Sequence, residues 1–189
     1  MKEALIGFIG VLVGSGITWF QAHWFQRQEK KKAAQYLATR VVCVLDKFLV
    51  DCIEVVKDKG LYTLDGGKVE KIPLPGLAFP TDIDWKSVEP DLMYRLLSFP
   101  TEVESFRGVL QKAWDINPKD RTIGMEERAF HYAQWGLHAH KLLDELCKEY
   151  GIKKKTYNDP NYNPVADLTK ERDRLHLRLN RRFQQNTEF

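Results

Sequence analysis

Ala4–Gln26, ALIGFIGVLVGSGITWFQAHWFQ, carries no acidic or basic residue and is followed at once by Arg27-Gln28-Glu29-Lys30-Lys31-Lys32. As a helix it would be about 34 Å long, against a bilayer hydrocarbon core of roughly 30 Å. Ala4–Val13 is its most apolar part, and Ser15 and Thr18 can return their hydroxyls to the helix backbone. Trp19, Trp24 and Phe25 cluster toward one end, where amphipathic rings sit at a headgroup interface. Arg27, Lys30, Lys31 and Lys32 then supply the basic flank that stays on the cytoplasmic side. The run is therefore expected to be a transmembrane anchor, residues 1–27, with the N-terminus outside and residues 28–189 in the cytoplasm. A cleaved signal peptide is the alternative, with Gly14-Ser15-Gly16 as its cleavage site. Against it, the leading segment is barely basic, and more apolar and aromatic sequence follows that site.

Gly10-Val11-Leu12-Val13-Gly14 has the spacing that lets two helices approach closely in lipid. Glycine is also common in membrane helices for no such reason. Gly10 and Gly14 are thus candidate packing positions for a homo-oligomer.

Working outward, Gln28–Lys59 reads as one helix continuous with the anchor. Leu37, Val41, Leu45, Phe48, Cys52 and Val55 step by three or four and form an apolar stripe, and Gly60 is a C-terminal stop. Leu61–Leu64 and Lys68–Ile72 flank Asp65-Gly66-Gly67 in the manner of a small β-hairpin. Prolines at 73, 75 and 80 then impose an extended connection, in which Leu74, Leu77 and Phe79 predict packing onto the body. Residues 61–82 so form a hairpin and loop insertion.

Asp84 is expected to cap a turn at Trp85. Glu89-Pro90 begins a helix carrying Leu92, Met93, Leu96 and Leu97, with proline at the first helical position. Ser98-Phe99-Pro100 should break it, and a second helix, about Thr101–Ile116, should follow with Val103, Phe106, Leu110 and Trp114 as its stripe. A long helix over Thr122–Tyr150, closed by Gly151, is apolar on two faces. Its small-residue seam of Ala129, Ala133 and Gly136 suits the middle of a bundle, packed against Leu37–Val55. Asn163-Pro164 caps and starts a final basic helix, residues 164–184, whose only stripe is Leu168, Leu175, Leu179 and Phe183. The expected fold is mainly α: an anchor helix running into a helical bundle.

The net charge of +3 hides a segregation. Both ends are basic and residues 33–150 are mildly acidic, a pattern suited to terminal segments facing an anionic surface. Lys170, Arg172, Arg174, Arg178, Arg181 and Arg182 form the largest basic concentration. They read either as an ion-paired solvated face or, at Lys170, Arg174, Arg178, Arg181 and Arg182, as contacts to anionic lipid or an acidic partner. Nucleic acid ranks behind these, because few aromatic residues interleave the charges for stacking.

Catalytic and metal signatures are weak. Cys43, Cys52 and Cys147 show no C-x-x-C spacing and sit in apolar helical context, which predicts buried, inert thiols. His131, His138 and His140 share one helix, but their spacings of seven and two do not place two ligands on one face. Glu127/His131 and His140/Asp144 have the right spacing and lack further ligands; His140 reads as a core histidine bonded to a neighbour. Asp82 and Asp84 could serve acid–base chemistry and are explained as well by turns. No nucleophile elbow, phosphate-binding glycine loop or H-E-x-x-H is present. No cofactor is called for.

The run Asp84–Pro100, DWKSVEPDLMYRLLSFP, with the anchor-then-helix opening and the late Tyr-Gly…Asn-Pro-Val, resembles small bacterial single-pass membrane-anchored proteins. The resemblance implies a bacterial or prophage-like origin, and it brings no activity or functional residue with it; with the anchor, the expected location is the bacterial inner membrane. The expected role is a binding or scaffold module with the lipid bilayer and a protein, or a second copy, as partners. The alternatives are a membrane-bound enzyme built around His131, Asp82 and Asp84, and a phage lysis or exclusion component acting through its membrane glycines.

Overall fold

The computed structural model describes residues 2–64, 66–82, 84–116, 121–154 and 162–187, with side chains described at these positions except 2–17, 122–123, 183 and 185–187. Four helices carry the chain: α1 (Lys2–Lys57), α2 (Pro90–Ile116), α3 (Thr122–Tyr150) and α4 (Pro164–Thr187). A two-stranded sheet, β1 (Leu61–Tyr62) and β2 (Lys68–Val69), and a 3-10 turn at Trp85–Ser87 lie between α1 and α2.

The first helix is continuous from Lys2 to Lys57, and no proline occurs in it to interrupt the backbone. Its predicted stripe is the core. Leu37, Val41, Leu45, Phe48, Cys52 and Val55 are all buried. Gly60 adopts φ +69° just past the helix, a left-handed conformation cheap only for glycine. The hairpin is shorter than expected, pairing antiparallel with Leu61 opposite Val69 and Tyr62 opposite Lys68.

α3 packs along α1 and, on its other faces, against α4 and α2. Small residues allow this central place. A Cβ on Gly136 would lie 2.6 Å from Leu168 Cδ1 and 3.1 Å from Cys52 Cβ, so α1, α3 and α4 meet closely only because that atom is missing. Gly151, at φ +65°, ends the helix where the sequence placed its stop. The extended segment after β2 runs back along the bundle, with Leu77 and Val88 buried and Leu74, Phe79 and Trp85 packed beside them. Asp84 caps the turn at Trp85 by accepting from the Lys86 N–H at 3.2 Å.

Three expectations need correction. The break at Pro100 does not occur: α2 runs unbroken from Pro90 to Ile116 with Pro100 inside it. Leu96, Phe99 and Val103 are fully buried on both sides of the proline, and this packing outweighs its missing N–H, a defect worth ~3 kcal/mol. Phe99 takes the core position expected of Leu97, which is exposed. Finally, Cys43 is exposed, whereas Cys52 and Cys147 are buried as expected.

α4 begins with Asn163 as cap. Its side chain accepts from the Ala166 N–H at 3.1 Å, and its carbonyl accepts from the Asp167 N–H at 3.0 Å. Leu168 and Leu175 are buried and Leu179 half-buried; the side chain of Phe183 lies outside the described residues.

Candidate functional site

The helices alternate in direction, and this fixes which surfaces lie together. Gln35, early in the bundle part of α1, donates to the Tyr150 carbonyl at the end of α3. At the opposite end, Arg121, just before α3, donates its N–H to the Lys68 carbonyl of β2, next to the finish of α1. α3 is thus antiparallel to α1. α4 turns again: Lys57 pairs with Asp167 at 2.7 Å, while Arg178 and Arg182 reach Glu126 in the first turns of α3. The basic half of α4 therefore stands at the far end of the bundle from Trp19–Lys32.

The N-terminal end differs in kind. Every side chain from Thr18 to Ala33 is exposed, and Ala34 is the first buried residue among the described side chains. Trp19, Phe20, Trp24 and Phe25 are 71, 62, 55 and 67% exposed, on a bare helix ahead of Arg27, Lys30, Lys31 and Lys32. Among the described residues no helix is long and apolar enough to cross a membrane. The side chains at 4–17, which hold Gly10, Gly14 and the most apolar part of the expected anchor, lie outside the described residues.

The carboxylates and histidines singled out as chemical candidates do not converge. Asp82 forms a bidentate pair with Arg40, at 2.8 and 2.9 Å, and this Arg40 hydrogen bond holds its carboxyl below the usual range. Asp84 is spent as a cap. His131 packs among Phe106, Phe130 and Trp135, where burial lowers its pKa. His138 meets the edge of Phe99, and burial lowers its pKa too. None of Asp82, Asp84 or His131 lines the clefts that α1, α3 and α4 form or the smaller cavity beside Ile53 and Ile72. Among the described residues no group of three or more His, Cys, Asp or Glu is placed to hold a metal ion.

Two clefts are well formed. The first, of about 910 Å³, lies between α1, α3 and the start of α4. Its walls include Val42, Leu49, Leu143 and Val165, and its rim carries Cys43, His140 and the Lys154–Asp144 pair at 2.6 Å. His140, expected in the core, is half-buried at this rim, with Nε2 3.6 Å from Asp144. The second, of about 850 Å³, is at the far end, where the finish of α1, the hairpin, α3 and α4 meet.

In the wall of the second cleft lies a polar knot that sequence reasoning missed. Arg128 and Asp58, 70 residues apart, pair at 3.1 Å with both side chains 1% exposed. Arg128 also donates to the Ile72 carbonyl at 2.6 Å. Asp58 accepts from the backbone N–H groups of Gly60, Lys71 and Ile72 at 2.8, 3.0 and 3.0 Å. Burial alone would raise the Asp58 pKa; the N–H donors and Arg128 outweigh it and hold the carboxyl below the usual range. Tyr132 adds a hydrogen bond to the Pro75 carbonyl at 2.8 Å. The knot ties the hairpin loop to α1 and α3. Nothing local singled it out, because Asp58 stands between Lys57 and Lys59 just past α1 and Arg128 follows Glu126-Glu127, both of them ordinary charged contexts.

Compared with protein-family models, curated proteins and solved structures, the chain matches none. Its residues and geometry alone carry the functional reading.

Proposed function

We propose that this chain is a single-pass membrane-anchored binding or scaffold module, N-terminus outside and helical bundle in the cytoplasm of a bacterial cell. The observation that carries this reading is the continuity of α1. The uncharged run Ala4–Gln26 and the buried bundle stripe belong to one helix, Lys2–Lys57, with no breaker between them. Supporting it, four large aromatic side chains lie bare at the junction. Exposed rings of this size forgo ~2 kcal/mol or more each relative to burial, and a headgroup interface recovers that without a protein contact. Arg27 and Lys30–Lys32 on the trailing side set the orientation. The stiff connection holds the bundle at a fixed stand-off from the bilayer, as a scaffold requires. Gly10 and Gly14 would permit pairing of two anchors within that arrangement.

Cys43 supplies the test. It is exposed, whereas Cys52 and Cys147 are buried, and burial pushes both buried thiols above their ordinary pKa. A membrane-impermeant maleimide should label Cys43 in inside-out vesicles and leave it unlabelled in intact spheroplasts. The protein should stay with the membrane through alkaline carbonate washing. Labelling from outside the cell, or release by carbonate, defeats the reading.

A further inference from the structure

The cleft at the end of the bundle opposite the aromatic junction is built by residues from four elements. Lys57 comes from the end of α1 and Lys59 from the connection after it, Tyr62 and Lys68 from the hairpin, Glu126 from α3, and Lys170, Glu171, Arg174 and Arg178 from α4. Its carboxylates are already engaged. Asp58 is held by Arg128, Asp167 by Lys57, Glu171 by Arg174, and Glu126 by Arg182 with Arg178 farther off at 3.7 Å. Lys59, Lys68 and Lys170 are left with no carboxylate partner among the described residues. Beside them the hairpin exposes Leu61, Tyr62 and Leu64, which are 52, 79 and 107% accessible. Lys68 lies over the Tyr62 ring at 5.7 Å.

We propose that this membrane-distal cleft is the docking surface for an acidic segment of a protein partner, its carboxylates meeting Lys59, Lys68 and Lys170 and its apolar side chains lying on Leu61 and Tyr62. This deepens the scaffold reading by naming the kind of partner and where it docks. Charge complementarity carries the choice. The anchor's own bilayer is not the occupant, since Arg27 to Lys57 spans about 45 Å of helix and surface potentials fade within roughly 10 Å. A nucleic acid fits less well. Glu126, Asp167, Glu171 and Asp173 interrupt the basic residues, which weakens the positive field that a phosphate backbone needs. The apolar hairpin tip beside the lysines suits an amphipathic peptide.

The test uses the full chain in nonionic detergent micelles with a dye-labelled glutamate-rich peptide carrying two leucines, followed by fluorescence anisotropy. Binding should weaken with added salt, and a glutamine-for-glutamate version of the peptide should bind about tenfold more weakly or worse. The double variant K59E/K170E, both positions exposed, should lose about tenfold in affinity, with its helical circular dichroism unchanged. The control K30E/K31E at the junction should bind as the parent does. Equal binding of the glutamine peptide, indifference to K59E/K170E, or tighter binding of a single-stranded RNA oligonucleotide than of the acidic peptide each overturns the proposal. In micelles the result is independent of membrane sidedness, so failure of the thiol-labelling test and failure of this one are separate outcomes.

Discussion

Replacing Arg128 with methionine tests whether the buried knot holds the hairpin loop on the bundle. The change removes the guanidinium paired with Asp58, which is also the donor to the Ile72 carbonyl, at a site 1% exposed. Breaking one side of a buried ion pair costs ~3–5 kcal/mol. Here the remaining carboxylate keeps its three backbone N–H donors, so R128M should fall at the low end, about 3 kcal/mol. Asp58→Ala should cost more, about 5 kcal/mol, because it strands a buried guanidinium and leaves those three N–H groups without their acceptor. With a urea m-value of about 2 kcal/mol/M for a bundle of this size, R128M lowers the unfolding midpoint by about 1.5 M.

The two variants should also separate in acid. Asp58 has a folded pKa below its unfolded value. Its contribution is therefore fully present above the ordinary aspartate range, near pH 4, and is lost as pH falls through the depressed folded value. In R128M burial is less well opposed, so the folded Asp58 pKa rises toward its unfolded value and the acid-dependent loss of stability shrinks. D58A removes that dependence. The measurement is urea unfolding of the full chain in nonionic detergent, followed by circular dichroism between pH 3 and 7. A loss below about 1 kcal/mol for R128M, or R128M more damaging than D58A, refutes the reasoning.

Pro100→Ala restores an N–H to the middle of α2. It should stabilise the bundle by about 1–2 kcal/mol, the helix gain being partly offset by a freer unfolded chain; a destabilised variant in the same urea assay would show that the proline shapes α2. Gly136→Ala gains helix propensity, yet its Cβ would meet Leu168 and Cys52 at 2.6 and 3.1 Å. A net loss of about 1–2 kcal/mol is expected, and a gain would mean that the α1–α3–α4 crossing can open without cost.

Much of the architecture was legible because helix signals are local. The stripe Leu37–Val55, the stop at Gly151, the Asn163 cap and the small residue at Gly136 each depend on spacing within a few residues, and each appears in the structure as read. Pro100 was misread for the same reason. A local rule predicts a break there, and the buried neighbours Leu96, Phe99 and Val103, whose contacts come from other helices, keep α2 whole. Cys43 and His140 were misread because burial on a helix face depends on what covers that face, which composition does not show.

The basic α4 marks the boundary most clearly. By itself the sequence determined that α4 is a charged helix, that Arg27–Lys32 is basic, and that an uncharged run precedes them. Only the tertiary structure decided that α4 runs away from the junction, that the carboxylates Asp58, Glu126, Asp167 and Glu171 in its cleft are already paired, and that Lys59, Lys68 and Lys170 share that cleft. Periodicity reports which face of an element is apolar. The direction of each helix, and the charge left over where four elements meet, arise from contacts between residues far apart in the chain.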